Sequence, residues 1–181
     1  MIYVFLADGF EELEALAPVD ILRRGGCEVK TVGVSGKTAV GAHNIPVVCD
    51  ITVEEAVTEG LEAVILPGGM PGTLNLENSE YVQKFIDFAA EKGLYIGAIC
   101  AAPSILGHKG LLKSKKATCF PGFEKDLEGA EFSDVPVVTD GKITTAYGAG
   151  AAFDFGFRLL GELTGNKEGA NALKKSMKYS K

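Results

Sequence analysis

Cys100 lies in GAICAAP (97–103), with Ala98 and Ala102 two positions to either side of it. Small residues there are what a sharp strand-to-helix turn needs when it must present a nucleophile. Pro103 fits the first turn of the helix that follows, where its missing N–H costs nothing. A thiol at such a junction meets unpaired N–H groups and the positive end of a helix dipole, both of which favour thiolate. The commoner fate of a cysteine is to be a small buried hydrophobe. Cys27, Cys49 and Cys119 carry no signal beyond that.

Two further segments supply groups such a thiol would use. PGGMPG (67–72) follows an apolar run, and consecutive glycines let backbone N–H groups point into a cavity. Gly69 and Met70, with Ala101 after the cysteine, are the expected oxyanion donors. Glu11, Glu12 and Glu14 follow the first apolar run. Carboxylates are favoured at a helix start, which accounts for Glu11 and Glu12 as a solvated first turn. Glu14, between Leu13 and Ala15, is expected to turn inward. Held beside sulfur and away from water, its pKa would rise until it donated a hydrogen bond.

The elements that must position these groups alternate along the chain. IYVFLA (2–7), EVKTVGV (28–34), AVIL (63–66) and LYIGAI (94–99) are short and almost wholly apolar, the mark of strands buried on both faces. Leu13, Leu16, Val19 and Leu22 recur at helical spacing up to Gly25–Gly26, with Pro18 predicting a kink or a separate first turn. SGKTAVGAHNIPVVCD (35–50) reads as a β-excursion and 51–59 as a short helix. Residues 79–92 form an amphipathic helix, 101–108 another, and VVTDGKITTAYG a hairpin about Asp140–Gly141. A long helix and a short one close the chain. This order predicts one α/β domain over 1–181, with a largely parallel sheet covered on both faces. Sites in such sheets form at the carboxyl ends of the strands, where ADGFEELEA, PGGMPG and CAAP all fall.

Composition narrows the partners. A net charge of −6 leaves no basic face for nucleic acid, and the lysine-rich end NALKKSMKYSK reads as a solvated last turn. No run reaches the length of a membrane span. The opening MIYVFLADG lacks the basic start of a secretion signal, so a cytoplasmic chain with free thiols is expected. Four cysteines without a CxxC and two histidines, His43 and His108, give no zinc spacing, and no cofactor or metal is expected.

ADGFEELEA with PVDILRRGG, VILPGGMPG, GAICAAPSIL and TAYGAGAAFDFGF, in this order, together resemble the ThiJ/PfpI superfamily over about residues 1–170. The likeness is to the branch named for the Parkinsonism-associated protein DJ-one and its bacterial relatives. It implies a flavodoxin-like α/β/α sandwich, a homodimer, an oxidisable cysteine at Cys100, a protonated glutamate at Glu14 and backbone donors at Gly69 and Ala101. It also implies glyoxalase chemistry, methylglyoxal to lactate without a cofactor, or deglycase activity on glycated proteins or nucleotides. The alternative that it implies is a redox-sensing or chaperone-like dimer using the same cysteine. Where some relatives carry histidine, this chain has Ala101 directly after the cysteine and Phe120 in CFPGFEKD. Without a Cys–His dyad, peptidase activity is not expected. Asn44 stands where relatives often have a basic residue.

Overall fold

The computed structural model describes residues 1–179. The last two residues of the lysine-rich end lie outside the described residues. β1 (Ile2–Leu6) leads to α1 (Glu12–Arg24), then β2 (Val29–Gly33). β3 (Thr38–Val40) and β4 (Pro46–Val48) pair antiparallel as the expected excursion. β5 (Ile51–Thr52) precedes β6 (Ala63–Leu66), α2 (Gly72–Glu77), α3 (Glu80–Glu91), β7 (Tyr95–Ile99) and α4 (Pro103–His108). β8 (Lys116–Ala117) pairs with β9 (Glu131–Phe132). β10 (Val137–Asp140) and β11 (Ile143–Ala146) make the predicted hairpin, and α5 (Ala152–Thr164) and α6 (Lys167–Ser176) follow.

Seven strands form the central sheet in the order β10-β11-β7-β6-β1-β2-β5. All neighbours are parallel except β10 with β11. The parallel core runs outward from β1 to β2, then crosses back to β6, β7 and β11 on the other side. That reversal between β1 and β6 is a topological switch point of the flavodoxin kind.

Alternate side chains of β1 face opposite layers, as the period of a strand dictates. Tyr3 and Phe5 pack with Leu76, Phe85 and Ile105 from α2, α3 and α4. Ile2, Val4 and Leu6 pack with Val19, Phe155 and Leu159 from α1 and α5. Two cores separated by one sheet make the three-layer sandwich read from the sequence.

Three local readings need correction. Residues 51–59 do not form a helix: Ile51 and Thr52 extend the sheet beside Val32 and Gly33, and one 3₁₀ turn follows at Val53–Glu55. The β8–β9 pair carried too few apolar residues to register as strands. In α1, Val19 and Leu22 are buried, but Leu13 is 56% exposed and Leu16 36% exposed, while Glu12 and Glu14 are buried. The helix runs through Pro18 without a separate first turn, and proline there removes the hydrogen bond that would reach the Glu14 carbonyl.

Candidate active site

Four strand ends converge at the switch point. Glu14 comes from the helix after β1, Gly68 and Gly69 from the loop after β6, Cys100 from the end of β7, and Gly148–Ala149 from the end of β11. The first turn of α1 is fixed twice. The Glu11 carboxylate caps it, accepting the Glu14 N–H at 2.8 Å, and the Glu11 N–H donates to the Gly68 carbonyl at 2.9 Å. Glu14 is thereby aimed into the protein and is 1% exposed.

Cys100 has φ +66°, a left-handed conformation uncommon for a residue with a Cβ. Such strain is what a nucleophile elbow stores. The turn is held on both sides: the Cys100 N–H donates to Ala146 at 2.8 Å, and the Cys100 carbonyl accepts from the Phe120 N–H at 2.8 Å. Ala98 and Ala102 are fully buried beside it.

The two groups meet. Glu14 is hydrogen-bonded to the Cys100 thiol, and its carboxylate also accepts the N–H groups of Gly68, at 3.0 Å, and Ala149. The sulfur receives the amides of Gly69 and Ala101. Met70 does not join them; its side chain is half-exposed at the rim and its amide donates to neither sulfur nor carboxylate.

Burial dominates the electrostatics. It raises the Glu14 pKa from 4.5 to about 7, against the hydrogen bonds from Cys100, Gly68 and Ala149. Burial and then the Glu14 charge push the Cys100 thiol up to about 12, against the Gly69 and Ala101 amides. The helix end is therefore not what activates this sulfur. α4 has only six residues, and Cys100 precedes its cap, Ala102. What the geometry provides is a coupled pair that gives up its first proton near 7 and above that shares the remaining one between carboxylate and sulfur. When Glu14 holds it, sulfur is a thiolate facing two N–H donors.

Glu12 and His43 depart most from the sequence reading. Glu12 is 6% exposed and not solvated. It accepts the His43 N–H at 2.8 Å and pairs with its Nδ1 at 2.7 Å, tying the β3–β4 excursion to the start of α1. Burial raises the Glu12 pKa, but the ring and amide of His43 outweigh it and hold the carboxyl below its ordinary value. The ion pair with Glu12 raises His43. Among the described residues, Glu11, Glu12 and His43 are the group with ligand atoms near enough for a metal, within 4.8 Å of one another, though Glu12 and His43 already satisfy each other. His108 pairs with Glu77 at 2.6 Å and does not reach Cys100. Neither histidine is hydrogen-bonded to Cys100.

Sequence reasoning missed Gly68, Ala149 and the buried role of Glu12. Both backbone donors stood inside recognisable segments, PGGMPG and TAYGAGAA, but no local pattern says which amide of a glycine-rich loop will face a carboxylate.

The chain resembles known proteins across most of its length. The profile of the DJ-1/PfpI family matches residues 1–162. Protein DJ-1alpha of Drosophila melanogaster is 36% identical over 181 residues, covering 98% of this chain and 83% of that protein. The glutathione-independent glyoxalase DJR-1.2 of Caenorhabditis elegans is 29% identical over 165 residues, covering 91% and 88%. A crystal structure of a DJ-1 superfamily protein from Salmonella typhimurium, a cysteine-to-alanine mutant, superposes with a TM-score of 0.94 at 34% identity, covering 99% and 98%. On the family profile and these identities, the chain belongs to the DJ-1/PfpI family.

Proposed function

We propose that the protein is a cysteine-dependent, cofactor-independent glyoxalase that converts 2-oxoaldehydes to 2-hydroxy acids. The observation that carries this reading is the buried Glu14 carboxyl hydrogen-bonded to Cys100, beneath two backbone donors. The named glyoxalase among its relatives supports the reaction class.

The chemistry follows from the geometry. Sulfur adds to the aldehyde carbon, and the proton held by Glu14 passes to the former carbonyl oxygen, giving a hemithioacetal. The Gly69 and Ala101 amides, released from the sulfur charge once S–C forms, then face the oxygen. Glu14, now a carboxylate, takes the proton from the hemithioacetal carbon to leave an enediol and returns it to the neighbouring carbon, while the hydroxyl proton passes from the first oxygen to the second. The resulting thioester is hydrolysed by water, which restores the thiol. The sum is oxoaldehyde plus water to hydroxy acid, with no oxidant. One carboxyl acting as acid and base in turn, without histidine, predicts slow turnover. Deglycase-like action on glycated proteins or nucleotides would begin with the same addition.

The sensor reading uses the same pair. Cys100 is only partly buried, and a protonated Glu14 donates equally well to a sulfinate oxygen. We further propose a cytoplasmic homodimer in either case. Its support is the apolar surface left on α1 at Leu13 and Leu16 and on the excursion at Ile45 and Val48.

The deciding experiment follows lactate formation from methylglyoxal, with mass analysis of Cys100 after peroxide. Turnover abolished in Cys100→Ala and reduced at least tenfold in Glu14→Gln supports the enzyme. Stoichiometric sulfinate at Cys100 with no turnover by the native chain would sink it and leave the sensor.

A further inference from the structure

A cleft of about 650 Å³ reaches the backbone of Gly148 and Ala149, next to Glu14. That is the size of pockets that enclose ligands far larger than a three-carbon oxoaldehyde. Its walls are aromatic: Phe120, Phe132 and Tyr147 line it with Pro121 and the backbone of Gly148–Gly150. Phe120 and Phe132 are 47% and 43% exposed, so two rings face open space where a ligand can cover them. The charged groups lining it are Glu124 and Asp134, and no lysine or arginine joins them.

The cleft is coupled to the reacting atoms through backbone. Phe120 is fixed by its N–H to the Cys100 carbonyl at 2.8 Å. Its ring packs over Gly148, where an added Cβ would stand 3.2 Å from the ring and 4.0 Å from Glu14 Oε1. Ring and carboxylate thus flank the same backbone atom. The next amide, that of Ala149, donates to Glu14 and also lines the cleft. Cys100 and Glu14 do not themselves line the cleft; Phe120 and Gly148 connect it to them.

We propose that this cleft is a substituent subsite that selects neutral 2-oxoaldehydes bearing an aryl group, with Phe120 and Phe132 as the residues that set the preference. The inference rests on the glyoxalase reading and names its substrate class. A ring stacked between two exposed phenylalanines gains contact area and aromatic geometry that a methyl group cannot use. Glu124 and Asp134 disfavour any substrate carrying a carboxylate or phosphate. The reaction is unchanged: phenylglyoxal plus water gives mandelic acid.

The test has two independent readouts. The first compares kcat/KM for phenylglyoxal, methylglyoxal and the anionic 2-oxoaldehyde 4,5-dioxopentanoate in the native chain, Phe132→Ala and Phe120→Leu. Phenylglyoxal is expected to be preferred over methylglyoxal by about tenfold or more, with the ratio falling in both variants, about tenfold in Phe132→Ala. The second is ligand-observed NMR of 1-phenylpropane-1,2-dione, which keeps the ring and both carbonyls but has no aldehyde, with Cys100→Ala protein. Binding there that Phe132→Ala removes supports the subsite. Dione binding without turnover of any aldehyde would keep the subsite and remove the glyoxalase reading. Equal use of phenylglyoxal and methylglyoxal, no dione binding, or a preference for 4,5-dioxopentanoate overturns the proposal.

Discussion

The Gly68 N–H donates to Glu14 Oε2 at 3.0 Å, and a Cβ on Gly68 would stand 2.6 Å from that same oxygen and 2.6 Å from the Cys100 Cβ. One glycine therefore both holds the carboxylate and leaves the space in which it meets the thiol. A methyl group there must displace one of the two, because the third neighbour, the Ile99 carbonyl at 2.8 Å, is backbone. Gly68→Ala is expected to lose roughly 100-fold in kcat/KM for methylglyoxal, the size of effect that misplacing a reacting group by about an ångström produces. Thermal melting of the same variant separates this from unfolding. A folded Gly68→Ala protein with native activity would show that Glu14 needs no fixed approach to sulfur.

The Glu14 pKa of about 7 sets a stability slope whose sign is determined. The folded chain retains a proton that an unfolded one, with its ordinary value of 4.5, releases. Stability from this group is complete below that value and is lost as pH rises through about 7. For a fully buried side chain the loss is about 3 kcal/mol. Denaturant midpoints of the native chain should fall between pH 5 and pH 8 by more than those of Glu14→Gln. Parallel slopes in the two proteins would place the Glu14 proton in bulk solvent.

The same pair governs how sulfur reacts with pH. Because burial and the Glu14 charge raise the thiol to about 12, the step that matters near neutrality is the loss of the pair's first proton, near 7. Iodoacetamide alkylation of Cys100 should rise through that step in the native chain. In Glu14→Gln the step near 7 should vanish, and the remaining thiol should titrate lower than in the native chain, since the opposing charge is gone. A native alkylation rate flat from pH 6 to 9 would contradict this coupling.

The architecture was legible because its signal is local. Uninterrupted apolar runs such as IYVFL and AVIL mark doubly covered strands, and their alternation with helices leaves few topologies. The elbow at Cys100 was legible from Ala98 and Ala102 for the same reason. The face of α1 was not. Helical spacing placed Leu13 and Leu16 inward, yet Glu12 and Glu14 take those positions because amides from His43, Gly68 and Ala149 satisfy their charge. Those amides come from segments about 30, 54 and 135 residues away, which no window of periodicity samples. The thiol's electrostatics failed likewise: dipole reasoning used the neighbouring helix and lacked the buried carboxylate.

Glu12 and His43 form a clamp with its own pH window. The raised His43 pKa contributes stability below its ordinary value of 6.5 and loses it as pH rises through the folded value. The lowered Glu12 pKa contributes above 4.5 and loses it as pH falls through its folded value. The excursion is therefore held most firmly between these limits. NMR titration should place the His43 pKa above that of the same ring in Glu12→Gln, with faster amide exchange at His43 in the variant. Identical His43 titrations would mean that only the backbone hydrogen bond operates.

Leu13 and Leu16 leave an apolar strip on a helix whose carboxylates are turned inward, an inversion of the usual pattern. The excursion clamped to the start of this helix adds Ile45, 51% exposed, and Val48, 73% exposed. Two copies meeting through this surface would cover all four side chains. Sedimentation should give the mass of a dimer at micromolar concentration. Covering the exposed part of Leu13 and of Leu16 is worth roughly 1 kcal/mol each, so Leu13→Glu with Leu16→Glu should weaken association at least about thirtyfold. Helix content by circular dichroism should not change, because neither leucine belongs to the core. A native chain that sediments as a monomer, or a double variant that dimerises as tightly as the native, would assign this strip to another partner.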